Sequence, residues 1–335
     1  MAVARSDAVS KENLDAGTLR TMYRHMLRSR VLDERMWVLN RQGRAPFWIS
    51  GMGHEAIQVA VGMSMEPGKD WLAPYYRDLA LTLVLGMTPR DHLLSVLAKA
   101  EDPNSGGRQM PAHYGSRAHN IISTGSPVTT QLLHAAGIAL AMKMRGDAAV
   151  CVTAFGEGST SGGDFHEALN FTATHNLAVV FVVENNGYAI SVPVEKQMPT
   201  PNVSDRAIAY GIPGISVDGN DAIACHRAAR DAVMRARRGE GPTLLEAKVH
   251  RLTSHSSDDD QRRYRSAEDL EAERVQDCLP RFRAMLEDLG VLAPGDSDSL
   301  RTELVAEVDE ATAYAEQAAD PLAETALLHV YAEDS

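Results

Sequence analysis

The chain is 335 residues long and 44% apolar, with 33 Lys plus Arg against 45 Asp plus Glu, a net charge of −12. That acidic balance argues against nucleic acid or an anionic membrane as partner, and no stretch approaches the ~18 uninterrupted apolar residues of a membrane span. Cys151, Cys225 and Cys278 are odd in number, far apart and without a CxxC pair, so they read as reduced structural thiols rather than a disulfide framework or a zinc site.

Residues 1–17 are polar, with no apolar core segment and no cleavage signature. They read as a flexible N-terminal segment rather than a secretory signal, and a cytoplasmic location is expected. The rest, 18–335, reads as a single α/β domain with a C-terminal helical extension. Over 18–44, Leu19, Met22, Met26, Val31, Leu32, Met36 and Leu39 recur at helical spacing. Arg20, Arg24, Arg28, Arg30 and Arg35 in the same stretch read as a solvated or subunit-facing stripe, with anion binding as the alternative. Residues 45–53 (APFWISGMG) form an aromatic, glycine-rich loop, and a short helix is expected over 54–63. A short strand over 71–78 closes on Tyr75-Tyr76-Arg77, where the arginine's planar fork suits either a phosphate or a surface salt bridge. Helices over 78–85 and 89–100 follow.

Residues 103–130 (PNSGGRQMPAHYGSRAHNIISTGSPVTT) are too long and too rich in Gly, Ser and Pro for an idle connection in a compact enzyme. His113 in it either reaches the site or is a satisfied loop histidine. Ser126 precedes a helix expected over 131–144, a natural place to offer hydrogen-bond donors to a diphosphate.

The chain is organised around 148–191. One apolar run, 149–155, ends in Gly156-Glu157-Gly158; a helix begins at Asp164; a second run, 177–183, stops at Asn185-Asn186-Gly187-Tyr188. Apolar runs without a wet face, bracketing a helix, are neighbouring strands of a buried parallel sheet, and a right-handed crossover puts both carboxyl ends on one edge. Glu157 and Asn186 are then side by side. Mg²⁺ prefers an octahedron of oxygens, with a carboxylate or two and the rest from substrate phosphate and water. Glu157, the Asn186 side chain and the Tyr188 carbonyl can supply three of them, while Gly156 and Gly158 remove side chains where a diphosphate comes close. Taken singly, Gly-Glu-Gly is also an ordinary strand-to-helix turn and Asn-Asn-Gly an ordinary loop turn.

Beyond this unit come a polar loop over 193–212, a short strand over 215–217 and a helix over 222–237 ending at Gly239. An alternating strand over 243–252 runs into Thr253-Ser254-His255-Ser256-Ser257-Asp258-Asp259-Asp260, a loop expected to be exposed. His255 there is a candidate for contacting a diphosphate or a developing charge, or is a solvated loop histidine. Leu279, Phe282, Met285, Leu286 and Leu289, then Leu300, Leu304, Val308, Ala311 and Ala315, form two helical stripes that are core or interface.

Gly-Glu-Gly at one strand end, with Asn186 29 residues after Glu157 at the next, resembles the thiamin diphosphate motif. With GGRQMPAHYG, GSPVTTQ, NNGYAIS and HSSDDD…YRS in order, the chain from about 20 to 330 resembles the alpha subunit of the thiamin-dependent decarboxylase component of 2-oxo acid dehydrogenase complexes, and its branched-chain members most. The resemblance implies the diphosphate-binding half of a thiamin diphosphate-binding α/β fold, a parallel sheet flanked by helices with helical N- and C-terminal extensions. It implies Mg²⁺ on Glu157, Asn186 and the Tyr188 carbonyl. Tyr76, Arg77, Ser126, Gly156, Gly158, Ser159 and His255 would lie around the diphosphate, and Val128 and Ile190 against the cofactor. His255 would be the catalytic residue, helping to bind the reacting groups or the lipoyl sulfur. The implied partners are a beta subunit, in a heterotetramer of two alpha and two beta chains, a lipoyl-bearing acyltransferase core and a small 2-oxo acid.

This sequence departs from the family pattern in three places. Glu157 stands where most members carry Asp, Gly125 where some branched-chain relatives use Ser for a monovalent cation, and Glu184 where some aim a basic residue at the diphosphate. Ser256 matches a serine phosphorylated in animal relatives and reads here as an active-site loop serine. Pyruvate or acetoin is the alternative substrate. A nicotinamide dehydrogenase is the alternative class, with Glu184 about 20 residues beyond the glycines as a ribose contact, although the spacing Gly156, Gly158, Gly162 is not the Rossmann one and leaves Asn186 and His255 idle. A scaffold subunit without catalysis is the non-enzymatic alternative.

Overall fold

Runs of Val, Ala and Phe with no polar face must be covered on both sides. In the computed structural model, which describes residues 14–328, 330 and 331, they become inner strands of a five-stranded parallel sheet. In chain order the elements are α1 (Ala16–Arg41), α2 (Glu55–Ser64), β1 (Trp71–Ala73), α3 (Leu79–Val84), α4 (Pro89–Val96), α5 (Thr130–Arg145), β2 (Cys151–Gly156), α6 (Gly163–Thr174) and β3 (Val179–Asn185). Then come β4 (Tyr188–Ala189), β5 (Val192–Pro193), β6 (Gly214–Asp218), α7 (Ala222–Arg237), β7 (Thr243–Lys248), α8 (Ala267–Val275), α9 (Cys278–Asp288) and α10 (Asp296–Gln317). The sheet runs β1-β2-β3-β7-β6, and β4 and β5 make a two-residue-deep antiparallel hairpin.

Each inner strand divides its side chains between two cores. Val150, Val152, Ala154, Val180, Val182 and Leu245 face α1, α2 and α7, whereas Cys151, Phe155, Val179, Phe181, Val183 and Leu244 face α5 and α6. The register sets Gly156 opposite Glu184, so the carboxyl ends of β2 and β3 finish at the same height.

Several expectations need correction. Of the segment 1–17 expected to be flexible, 1–13 lie outside the described residues, while Ala16 and Gly17 already belong to α1, capped by Asp15 accepting from the Thr18 amide at 2.6 Å. The strand expected over 71–78 stops at Ala73, because the Asp78 carboxylate takes the Tyr75 amide at 2.7 Å and turns the chain into α3. The strand expected over 243–252 stops at Lys248, because its neighbour β3 has ended at Asn185. The 103–130 connection is not structureless: Ile121 bridges both Leu72 of β1 and Ser116. The loop expected over 193–212 holds two short helical turns, Val194–Lys196 and Ser204–Tyr210.

The arginines of α1 find partners within the chain, whether exposed like Arg24 or buried like Arg30. Arg24, Arg28 and Arg35 pair with Glu303, Glu307 and Asp309 of α10, and Arg20 donates to the Val291 carbonyl at 2.8 Å. Arg30 is buried between Glu55 at 2.6 Å and Asp277, which it grips through both terminal nitrogens at 2.8 and 2.9 Å. Among the described residues, no helix is long and apolar enough to cross a membrane.

Candidate functional site

At the carboxyl edge of β2 and β3 lies a cavity of about 390 Å³. It gathers Tyr76, Arg77, Ser126, Val128, Gly156, Glu157, Gly158, Ser159, Tyr188, Ile190 and His255 from five separate stretches of chain. Of the expected site residues, only Asn186 does not line it; it is buried behind Glu157, to whose carboxylate its backbone N–H donates at 3.3 Å. Phe47, Ile49, Tyr75, Met110, His113 and Ala189 complete the wall. Of these, sequence reasoning weighed His113 and missed the rest. Two aromatic or branched residues inside the glycine-rich stretch 45–53 were the available signal for Phe47 and Ile49.

The acid at the end of β2 is buried and only partly paired. Glu157 is 2% exposed; one oxygen takes the Asn186 amide, and the other, Oε1, has no partner. Burial pushes its carboxyl up, against the pull of its own backbone and the Asn186 backbone N–H. A buried oxygen left without a donor is costly unless something electropositive meets it. The Tyr188 carbonyl is available too, because its partner across the hairpin is Pro193, which has no N–H. Asn186 folds into an Asx turn, its Oδ1 accepting from the Tyr188 amide at 3.2 Å. A carboxylate oxygen, an amide oxygen and a carbonyl, all neutral or negative and all hard, fit Mg²⁺.

Opposite stands a guanidinium. Arg77 is 1% exposed, and among the described residues no carboxylate lies within ion-pair distance of it. It donates to the Ser50 carbonyl at 2.6 Å and leans on the His255 carbonyl at 3.4 Å, and its Nε has no partner. It is not the surface salt bridge that local sequence allowed. Its second terminal nitrogen lies 3.3 Å from His255 Nδ1. Since a guanidinium can only donate, Nδ1 is bare and the imidazole proton sits on Nε2. Burial first, then Arg77 and Arg251, push the His255 imidazole down to about 4, so it is neutral near pH 7.

The loop bearing His255 is not exposed as its composition suggested. Ser256 is buried, the His255 amide donates to Asp259 at 2.8 Å, and the Ser257 amide donates to the Trp48 carbonyl at 2.8 Å. Ser and Asp here spend their polarity on the loop's own backbone, which composition alone does not show.

The two glycines of the Gly-Glu-Gly turn also allow close packing around the strand end. A Cβ at Gly156 would meet the Tyr75 hydroxyl at 2.9 Å, and one at Gly158 would meet the Ala189 Cβ at 2.6 Å. They let the cavity's walls pack against the strand end. Thr129 and Ile190, both β-branched, sit in the left-handed region at φ 78° and 55° beside the cavity, a cost that persists only where the surroundings impose it. The Ile190 carbonyl is held by Arg251 at 3.0 Å.

Glu184 faces away from the cavity. It accepts from His54 Nδ1 at 2.7 Å and Gln58 Nε2 at 3.1 Å, and the same Gln58 nitrogen donates to the Arg77 carbonyl at 2.9 Å. Burial raises both Glu184, to about 7, and its neighbour Asp78. A carboxyl group so engaged beneath the Arg77 backbone has no reach to a nucleotide ribose, which removes the main support for a dinucleotide site.

With this geometry in place, residues 23–324 match the family model described as dehydrogenase E1 component. The chain is 51% identical to the 2-oxoisovalerate dehydrogenase subunit alpha of Bacillus subtilis (strain 168), an alignment covering 93% of this chain and 94% of that protein. It is 40% identical to the 3-methyl-2-oxobutanoate dehydrogenase subunit alpha of Mycobacterium tuberculosis, over 83% of this chain and 73% of the relative. It is 38% identical to the pyruvate dehydrogenase E1 component subunit alpha of Bacillus cereus, over 90% and 78% respectively.

Proposed function

The chain belongs to the dehydrogenase E1 component family, and from that premise we propose that it is the alpha subunit of a branched-chain 2-oxo acid dehydrogenase acting on 2-oxoisovalerate. One observation carries the reading of the site. A buried acid with an unpartnered oxygen, Glu157, and a buried guanidinium with no carboxylate, Arg77, share one cavity at the carboxyl edge of a parallel sheet. Together they suit a metal and the polyanion it bridges, here Mg²⁺ and the tail of thiamin diphosphate.

Glu157, the Asn186 side chain and the Tyr188 carbonyl would hold the metal. Arg77 would hold the diphosphate, with Tyr76, Ser126, Ser159 and the backbone at Gly156 and Gly158 around it, and Val128 and Ile190 would press on the cofactor's rings. Thiamin diphosphate, when bound, supplies the electron sink for loss of carbon dioxide from a 2-oxo acid. The chain's own task is orientation. Arg77 is fixed by the Ser50 and His255 carbonyls before any ligand arrives, so little reorganisation is left to binding. His255 stays neutral and presents Nε2–H as a hydrogen-bond donor to a reacting oxygen or to an arriving lipoyl sulfur.

The site is completed by a partner. Met110, Val128, Ile190 and Val192 are 50, 48, 56 and 43% exposed, and the first three line the cavity. Such an apolar rim suits cover by a beta subunit, in a heterotetramer that delivers acyl groups to a lipoyl-bearing acyltransferase core in the cytoplasm.

The test uses the complex co-expressed with its beta subunit, assayed against 2-oxoisovalerate, pyruvate and acetoin. The native complex is expected to prefer 2-oxoisovalerate. Glu157→Ala is expected to assemble normally but to lose Mg²⁺-dependent cofactor affinity by about 100-fold or more. Unchanged metal affinity and rate in that variant sink the reading.

A further inference from the structure

His113 and Ser126 face one another across the cavity wall, and their hydrogen bonds fix where the protons are. His113 Nδ1 lies 2.9 Å from the Met110 carbonyl and 3.2 Å from the Pro111 carbonyl. Carbonyls only accept, so Nδ1 carries a hydrogen. In the neutral ring Nε2 is then bare, and the hydrogen in its 2.6 Å contact with Ser126 Oγ is the serine's own. The consequence is chemical: Ser126 gives its hydrogen to the histidine and shows the cavity only lone pairs. An anion meeting those lone pairs is repelled.

One proton reverses this. With both ring nitrogens protonated, Nε2–H donates to Ser126 Oγ, the serine's hydrogen turns into the cavity, and the buried ring gains a positive charge facing the anion. We propose that His113 is a positioning residue that takes up a proton when a diphosphate binds, converting Ser126 from a hydrogen-bond acceptor into a donor to the ligand. This rests on the cofactor reading above and deepens it. The other charged or titratable groups lining the cavity are Arg77, Glu157, His255 and the phenols of Tyr75, Tyr76 and Tyr188. None of them replaces His113. Arg77 is already charged, His255 is held neutral by burial and by two guanidinium neighbours, and Glu157 is an acid that already accepts from the Asn186 backbone N–H.

The sign of the linkage follows. A proton bound in the complex and absent from the free protein makes affinity fall as pH rises, by up to about tenfold per pH unit. The experiment is calorimetric titration of the cofactor-depleted alpha–beta complex with thiamin diphosphate and Mg²⁺, in buffers of different ionisation enthalpy, from neutral to mildly alkaline pH. His113→Gln is the reference, because glutamine cannot titrate and the ligand's own ionisation is common to both proteins. The native complex is expected to take up about one proton per site more than His113→Gln, and to show the steeper loss of affinity with pH. Equal proton counts and parallel pH curves overturn the proposal, as does a native complex that binds without proton uptake. Should His113→Gln not assemble, Ser126→Ala takes its place: it keeps the histidine, removes the hydroxyl that is switched, and is expected to lose the extra proton. Absence of any binding heat in the native complex is a different result, and it refutes the cofactor reading instead.

Discussion

Two buried arginines in this chain have opposite surroundings. Arg30, in the first helix, is closed off by Glu55 and by a two-pronged contact with Asp277, so its charge is met within the protein. Arg77, at the sheet edge, is more deeply buried, yet its terminal nitrogens meet only carbonyls and an imidazole, and its Nε meets nothing. Burying a cation without a counter-anion is expensive, and folds tolerate it where something else brings the negative charge. The carboxylates repeat the contrast. Glu55 is consumed by Arg30, the Gly53 amide and the Cys278 thiol, whereas Glu157 keeps one oxygen spare. A saturated cluster is architecture, even when, like Glu55, Asp277 and Cys278, it has the composition of a metal site; the unsaturated one is the site proposed above for a ligand.

The comparison breaks if the two arginines respond alike to removal. Arg30→Met leaves two carboxylates facing each other without their cation, and is expected to destabilise the cofactor-free complex by about 3–5 kcal/mol, read as a lower melting temperature. Its effect on cofactor affinity, measured on whatever fraction remains folded, should be small. Arg77→Met is expected to do the reverse. Only two carbonyls and the His255 imidazole lose a partner there, so melting should fall far less, while affinity for thiamin diphosphate should drop by about 10–100-fold, the worth of a lost hydrogen bond to a charged group. Equal melting losses with equal affinities would erase the distinction between a structural and a ligand-directed guanidinium.

The sequence made the central unit legible for a physical reason. Parallel strands buried on both faces have to be written as unbroken apolar runs, and β2 and β3 are, so the meeting of Glu157 with Asn186 followed from topology alone. The α7 helix was equally plain, expected over 222–237 and found there. What stayed hidden was pairing across long separations. The partners of Arg24, Arg28 and Arg35 lie about 280 residues downstream, and nothing local in α1 distinguishes a solvated arginine from one that meets a glutamate of α10. The orientation of Glu184 was hidden likewise. Its place at the end of β3 suggested a ligand contact, but the two-residue alternation of a strand turned it toward His54 and Gln58. The hydroxyl of Tyr75 filling the space above Gly156 could be found only in three dimensions.

The ladder between α1 and α10 supplies the mildest member of the series and places a lower bound on it. Arg24 and Glu303 form a pair whose side chains are 43 and 60% exposed. In water of high dielectric such a contact gains little beyond what ordering two long side chains costs, so Arg24→Gln should shift stability by only about 0.2–1 kcal/mol. Salt should shrink even that difference, because exposed charges are screened within about 10 Å at 0.1 M. The same rise in ionic strength should leave the Arg30→Met deficit nearly intact, since Arg30, Glu55 and Asp277 are screened by protein rather than by ions. Melting curves of both variants at low and high salt therefore separate two classes of paired arginine in one protein, the exposed and the buried. An Arg24→Gln deficit as large and as salt-resistant as that of Arg30→Met would show that burial is not what sets these energies here.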